Sequence, residues 1–245
     1  MNDIIQLLQN HRSIRKFKDE ALNQETIKTL VRAAQSASTS SYVQAYSIIG
    51  ITDQQIKHQL RAISGQSYVE HNGHLFVFVV DYHRHHGLGN HLKSNVDDYF
   101  GTTESLLVGT VDAALASQNM AVAAESMGLG ICYIGSLRNN MQRVIDLLNL
   151  PAYTYPLFGM VVGVPDDVGS QKERLPLDVV YHENTYQPFS YDDYKDYDVR
   201  TSAYYKARTA GKRDDKWSEQ VIQMLGGKAR LDVDGVVKQQ GFLKQ

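Results

Sequence analysis

Three fixed cations and a histidine crowd into the seven residues His11 to Phe17, HRSIRKF, with no acid among them. His11, Arg12, Ser13, Arg15 and Lys16 offer a dense set of donors, suited to an acceptor-rich anion gripped by forked guanidinium bonds. Phosphate fits that description. From this segment alone, a solvated charged loop is the commoner explanation, so further clusters matter. QKERLP supplies one, because Lys172 and Arg174 stand two apart beside Pro176 and in an extended stretch project to the same side. YYKARTAGKRDDKW supplies another, with Lys206, Arg208, Lys212 and Arg213 close together. A charged tail is the alternative reading of that stretch.

The first two clusters together could neutralise a dianionic phosphate and hold its ester, a demand made by nucleotides and by flavin mononucleotide (FMN). The usual phosphate loops are absent. No G-x-x-x-x-G-K-[ST] occurs, and GLGICYIG fails G-x-G-x-x-G because Tyr133 takes the place of the last glycine. Other chemistries have weaker support. In DYHRHHGLGNH, His83 and His85 would share a strand face and could ligate zinc, but no H-E-x-x-H accompanies them, and the expectation is surface histidines and no metal. Cys132 lies in an apolar strand and reads as an inert thiol, and no G-x-S-x-G marks a serine nucleophile.

The elements that must position these residues follow from periodicity. NDIIQLLQN and NQETIKTLVRAAQSA, the second from an Asn23 cap, predict two helices joined by the basic heptad. SIIGIT, LFVFVVDY, ICYIG and LFGMVVGVP predict strands; DQQIKHQLRAIS and NNMQRVIDLLNL predict helices between them, the latter from Asn139 or Asn140. A long helix is expected from Thr103 to Met127, closed by Gly128 as a C′ glycine. Leu106, Leu107, Val111, Leu115 and Val122 fill one side of it, while Gly109, Ala113, Ala116 and Ala123 keep much of the rest small and apolar. Such a helix is expected to be buried on all sides, against its copy in a dimer or, equally on this pattern, at the centre of a monomer. The last 60 or so residues are polar, with helical patches at Tyr194–Arg208 and Trp217–Leu225, and residues 166–245 read as a wrapping arm of a single domain.

Composition narrows the class. With 42% apolar residues in 245, burial is not limiting. A charge of -2, from 25 basic and 27 acidic residues, gives no global field toward nucleic acid or an anionic membrane, so neither is an expected partner. A single cysteine and no cationic start followed by a long apolar run point to the cytoplasm.

HRSIRKFKDEAL, STSSYVQAYSIIGITD, GQSYV, MGLGICYIGSLRNN, PLFGMVVGVP and RLPLDVVYHENTYQP, in this order, resemble the nitroreductase superfamily, specifically its oxygen-insensitive NADPH nitroreductases and NADPH flavin reductases. The likeness runs from the N-terminus to about Trp217. It implies an α+β fold, a mostly antiparallel sheet flanked by helices, in an intertwined homodimer holding FMN at two interface sites. It puts His11, Ser13, Lys172 and Arg174 on the FMN phosphate, Arg12 toward the ribityl side and Arg15 beside the pyrimidine end of the ring. Ser38, Thr39, Ser40 and Gln44 resemble the polar segment that the partner subunit lends to the ribityl chain and ring. Gln66 matches the pyrimidine edge and Tyr68 the substrate pocket. Tyr133, Ile134, Gly135 and Ser136 match the segment whose N–H groups face flavin N5 and O4, although Ser136 stands where glycine is frequent. Arg208 first, and Arg213 second, take the 2′-phosphate of NADPH.

The resemblance thus implies an FMN-dependent NADPH oxidoreductase that reduces nitro compounds, quinones or flavins by two-electron ping-pong transfer, with no protein residue as obligatory catalyst. The alternatives are an oxidase or disulfide reductase, a reductase supplying free FMNH2 to a partner, and, outside enzymes, a nucleotide-phosphate sensor.

Overall fold

The computed structural model describes residues 2–227 and 230–244. Helix α1 (Asp3–Gln9) starts at Asn2 and α2 (Gln24–Gln35) at Asn23, each asparagine side chain accepting from a first-turn N–H. There follow β1 (Tyr46–Ile51), α3 (Gln54–Ser64), β2 (His74–Asp81), α4 (His83–Leu92), the short α5 (Asp97–Phe100) and the long α6 (Thr103–Ser126). After Gly128, in the left-handed region at φ 75°, come β3 (Gly130–Ile134), α7 (Met141–Leu147) and β4 (Thr154–Gly163). The C-terminal part adds α8 (Asp192–Arg208), α9 (Trp217–Leu225) and α10 (Asp232–Gln239).

The four strands form one sheet in the order β1-β2-β4-β3, and every neighbouring pair is antiparallel. Alternation of side chains explains why these strands are apolar almost throughout. Phe76 and Phe78 of β2 pack with Leu30, Met120 and Ala124 under α2 and α6, while Leu75, Val77 and Val79 join Leu60, Val69 and Ile134 on the α3 side. Both faces are covered by helices.

The chain divides into two compact units, Met1–Gly169 with Arg230–Gln245, and Ser170–Ala229. Helix α10 was not anticipated from sequence. Its Val236 and Val237, with Phe242 beyond it, are buried among Tyr82, Phe100 and Tyr155 of the first unit. Two adjacent valines and one phenylalanine in a polar tail give too weak a period to read.

One of the two alternatives for α6 falls, and the reading of the histidine cluster needs correction. Helix α6 is not buried all round within the chain. Its buried face, mostly small with Gly109, Ala113 and Ala116 beside Met120, packs on the sheet, and a Cβ on Gly109 would lie 2.5 Å from Val80. Its larger stripe stays exposed, with Leu107 at 55%, Val111 at 50% and Leu115 at 44%. Small side chains allow close approach to the sheet and leave the bulky ones facing outward. By length and composition α6 could also cross a bilayer, a property shared by core helices of this kind. The histidine cluster, secondly, is not on a strand: β2 ends at Asp81 and His83 opens α4. His83 then meets the Ala152 carbonyl at 3.2 Å and His85 the Val43 carbonyl at 2.8 Å, and no metal-binding group of side chains occurs among the described residues.

Candidate active site

The basic heptad is laid along β3, an edge strand. The Ile14 N–H donates to the Ile131 carbonyl at 2.8 Å, Phe17 bridges to Pro165, and the Lys18 N–H reaches Val164 at 2.9 Å. Ile14 is buried against Gly130, where an added Cβ would lie 2.5 Å from it, so only glycine permits this seat. Extended backbone then turns Ser13 and Arg15 away from Ile14, to a common side. There they meet Cys132 of β3 and Tyr68 of the turn after α3. Burial pushes the Cys132 thiol up, against the opposing influence of Arg15, Tyr68 and Ser13. Burial likewise raises the Tyr68 phenol, with Arg15 pulling the other way. The thiol is therefore kept protonated.

Gly65, left-handed at φ 72°, ends α3 and delivers Gln66 and Tyr68 to this place. On β3, Ile134 is fully buried and Gly135 begins a 3-10 turn reaching Asn140. Tyr133 points the opposite way, its hydroxyl donating to Gln118 at 3.3 Å, which leaves only its backbone for this side. Among the described residues, the buried polar atoms lacking any partner include Gln66 Oε1 and Ser136 Oγ. A buried orphan acceptor is costly unless something else completes it.

Not all of the heptad's charge is free. Lys16 is tied to Asp166 at 2.8 Å, and Arg12 bends back to the Asn10 carbonyl at 3.3 Å. His11 Nδ1 lies 2.6 Å from Glu125 of α6. Arg138, missed in the sequence, places its guanidinium against Gly135 and donates to the Leu157 carbonyl, while burial holds its pKa below the usual arginine range.

Ser38, Thr39, Ser40 and Gln44 lie elsewhere in the same unit, before β1 at the opposite edge of the sheet from β3. Ser41, Tyr42 and Gln44 all have positive φ, a strained run for residues with side chains. The run is held by Asp112, a fully buried carboxylate of α6 that accepts from the Ser40 N–H at 2.9 Å and the Ala45 N–H at 3.0 Å. Nothing in the sequence marked Asp112, because its partners are some 70 positions away.

In the second unit Lys172 and Arg174 have separate side-chain partners. Residues 170–176 form no regular element, and Arg174 turns back to the Lys172 carbonyl at 2.8 Å. The Lys172 ammonium meets the Tyr205 hydroxyl at 2.5 Å, and that hydroxyl donates to Gln220 at 3.1 Å. Arg213 lies 4.5 Å from the centre of the same ring. Burial pushes the Tyr205 phenol up, but Lys172, Gln220 and Arg213 outweigh it and the net shift is downward. Arg208 donates to the Tyr204 hydroxyl at 3.2 Å.

The family model described as "Nitroreductase family" matches residues 8–164, and its companion described as "Nitroreductase family, C-terminal domain" matches residues 172–245. The chain belongs to the nitroreductase family. It is an oxidoreductase with the nitroreductase fold. An NADPH-dependent oxidoreductase of Staphylococcus aureus (strain MRSA252) is 50% identical over 99% of this chain and 98% of its own. The solved structure of NfrA1 from B. megaterium is 47% identical, with a TM-score of 0.97 over 99% of this chain and all of that one. An NADPH:FMN oxidoreductase from Vibrio harveyi, solved with NAD+, is 38% identical, with a TM-score of 0.91 and full coverage of both chains.

Proposed function

We propose that this nitroreductase-family chain is an FMN-dependent, NADPH-consuming oxidoreductase acting on nitro compounds, quinones or flavins, and that it works as a homodimer. The observation that carries the reading is the convergence of Ser13, Arg15 and Tyr68 on β3, beside the unpartnered Gln66 Oε1 and Ser136 Oγ. These residues fit the cofactor. A flat ring with an imide N–H completes an orphan acceptor such as Gln66 Oε1, and its carbonyls suit the Ser136 hydroxyl and the N–H groups after β3. FMN held here would supply the hydride chemistry between a nicotinamide donor and an acceptor.

The chain's own contribution is binding, orientation and field. Arg15, beside Cys132 and Tyr68, would stabilise negative charge on the ring and so favour the reduced cofactor. Arg138, behind Gly135, adds a second cation on the far side of the turn. Ile134 and Cys132 give an apolar floor that excludes water. Names of relatives support NADPH as donor. The phosphate roles of Lys172 and Arg174 and the 2′-phosphate roles of Arg208 and Arg213 rest on the family likeness.

Dimerisation explains two features of the first unit. The Ser38–Gln44 run lies at the β1 end of the sheet, away from the β3 cluster, as suits residues offered to a second copy. The exposed stripe Leu107, Val111 and Leu115 recurs every four residues of α6, giving an apolar ridge for a partner helix.

Steady-state kinetics with both donors tests the proposal. Arg208→Ala should raise the KM for NADPH about tenfold, the loss of one phosphate contact, and leave NADH little changed. Equal losses for both donors would remove Arg208 from 2′-phosphate recognition. Absence of turnover with nitrofurazone, quinones and free FMN alike would remove the proposed activity.

A further inference from the structure

Glu125 occupies the last turn of α6, where the helix carbonyls already concentrate negative charge, and no basic residue shares that turn. Its side chain is 13% exposed. A carboxylate set against the helix dipole and partly withdrawn from water is locally unfavourable, and such choices are compensated elsewhere in the fold. The compensation is His11, 114 positions away in sequence, with Nδ1 at 2.6 Å from Glu125 Oε1. Both residues belong to the first compact unit.

A carboxylate can only accept, so Nδ1 carries the hydrogen of this bond. The bond fixes the orientation of the imidazole and leaves Nε2 as the nitrogen that can serve an outside acceptor. The backbone that carries the ring is itself anchored, because the His11 backbone N–H donates to the Leu8 carbonyl at 3.4 Å and Ile14, three residues on, is locked to β3. We propose that Glu125 is a positioning residue for the cofactor phosphate, orienting His11 so that Nε2 donates to it and offsetting the charge the ring carries when both nitrogens donate. The inference rests on the reading that His11 holds the FMN phosphate. It has the same form as the carboxylate–histidine pairs that orient ligating imidazoles at metal sites, with a phosphate oxygen in place of the metal.

The test compares FMN with riboflavin, which has the same ring and ribityl chain but no phosphate. Flavin-free full-length protein is titrated with each, following quenching of flavin fluorescence. Glu125→Ala is expected to weaken FMN binding about tenfold, the scale of one charge-assisted hydrogen bond, while riboflavin affinity stays within about twofold. His11→Ala should lose FMN affinity similarly, and the double variant should be no worse than His11→Ala alone, because Glu125 acts only through that ring. Equal weakening of FMN and riboflavin by Glu125→Ala, or additive losses in the double variant, overturns the proposal. If Glu125→Ala does not fold, Glu125→Gln, which keeps the shape and an acceptor but no charge, should still lower the FMN-to-riboflavin preference about threefold, and an unchanged preference overturns it. Unaltered FMN affinity in His11→Ala would instead remove the phosphate role of His11 and this inference with it, leaving the FMN reading itself intact. No binding of either flavin to the unsubstituted protein would remove that reading.

Discussion

His74 carries a cost that only acid reveals. It is buried at the start of β2, its Nε2 has no partner, and the space beside it exists because Gly50 lacks a side chain. Burial first, and the nearby Lys57 ammonium second, depress its pKa from 6.5 to about 4. Lys57 is buried too, its own pKa lowered by burial, and it donates to Asn72 at 3.2 Å. A base whose folded pKa is depressed refuses a proton that the unfolded chain accepts, so stability is unaffected above pH 6.5 and is lost as pH falls from there toward 4. The full loss is at most about 3 kcal/mol. Urea unfolding at pH 7 and pH 4.5 should show this difference in the unsubstituted protein and a smaller one in His74→Leu. An equal pH dependence in both would assign the acid sensitivity elsewhere. At this scale the sequence was most readable where charge is dense and local. Ser13 and Arg15 stood out within seven residues, whereas Asp112, His74 and Glu125 each look ordinary until the fold brings a distant partner or a cavity to them.

At the scale of elements, the periodicities placed the four strands and the helices that cover them well, because both faces of the sheet are covered and strong apolar runs leave little ambiguity, whereas α4 and α10 went unread. Alternation of strand and helix along the chain does not reveal strand direction, and here every pairing is antiparallel. The family likeness, not the periodicity, implied that. The Ser38–Gln44 run is the element whose conformation was least readable, since no glycine announces its three left-handed residues. Asp112 holds the run through two backbone N–H groups. Asp112→Asn puts an amide where a carboxylate accepted twice, so one donor loses its partner and the strained segment is released. The expected results are a loss of about 1–3 kcal/mol in stability and weaker FMN binding, measured by thermal unfolding and flavin titration. Retained flavin affinity in a destabilised protein would show that the run supports folding only.

For the whole molecule, the helix expected to be buried all round is half exposed in one chain, and the difference is informative. Sequence composition reports the burial that a helix needs, whoever supplies it. Leu107, Val111 and Leu115 are uncovered, and α1 offers Ile4, Ile5 and Leu8 without one buried residue, an apolar surface that the proposed homodimer would cover. Val111→Glu in the middle of that stripe should shift the protein from dimer to monomer in analytical ultracentrifugation and release flavin with it. A variant that stays dimeric and yellow would place the dimer surface elsewhere.

The central claim is that a flavin is held between the β3 cluster of one copy and the strained run of another, and is reduced by NADPH. The direct measurement is the visible spectrum of the purified protein, recorded before and after anaerobic addition of NADPH. The expected result is a pair of flavin bands that bleach on addition and return with nitrofurazone or a quinone. A colourless protein that cannot be reconstituted with FMN, or a yellow one whose bands ignore NADPH, would contradict the account.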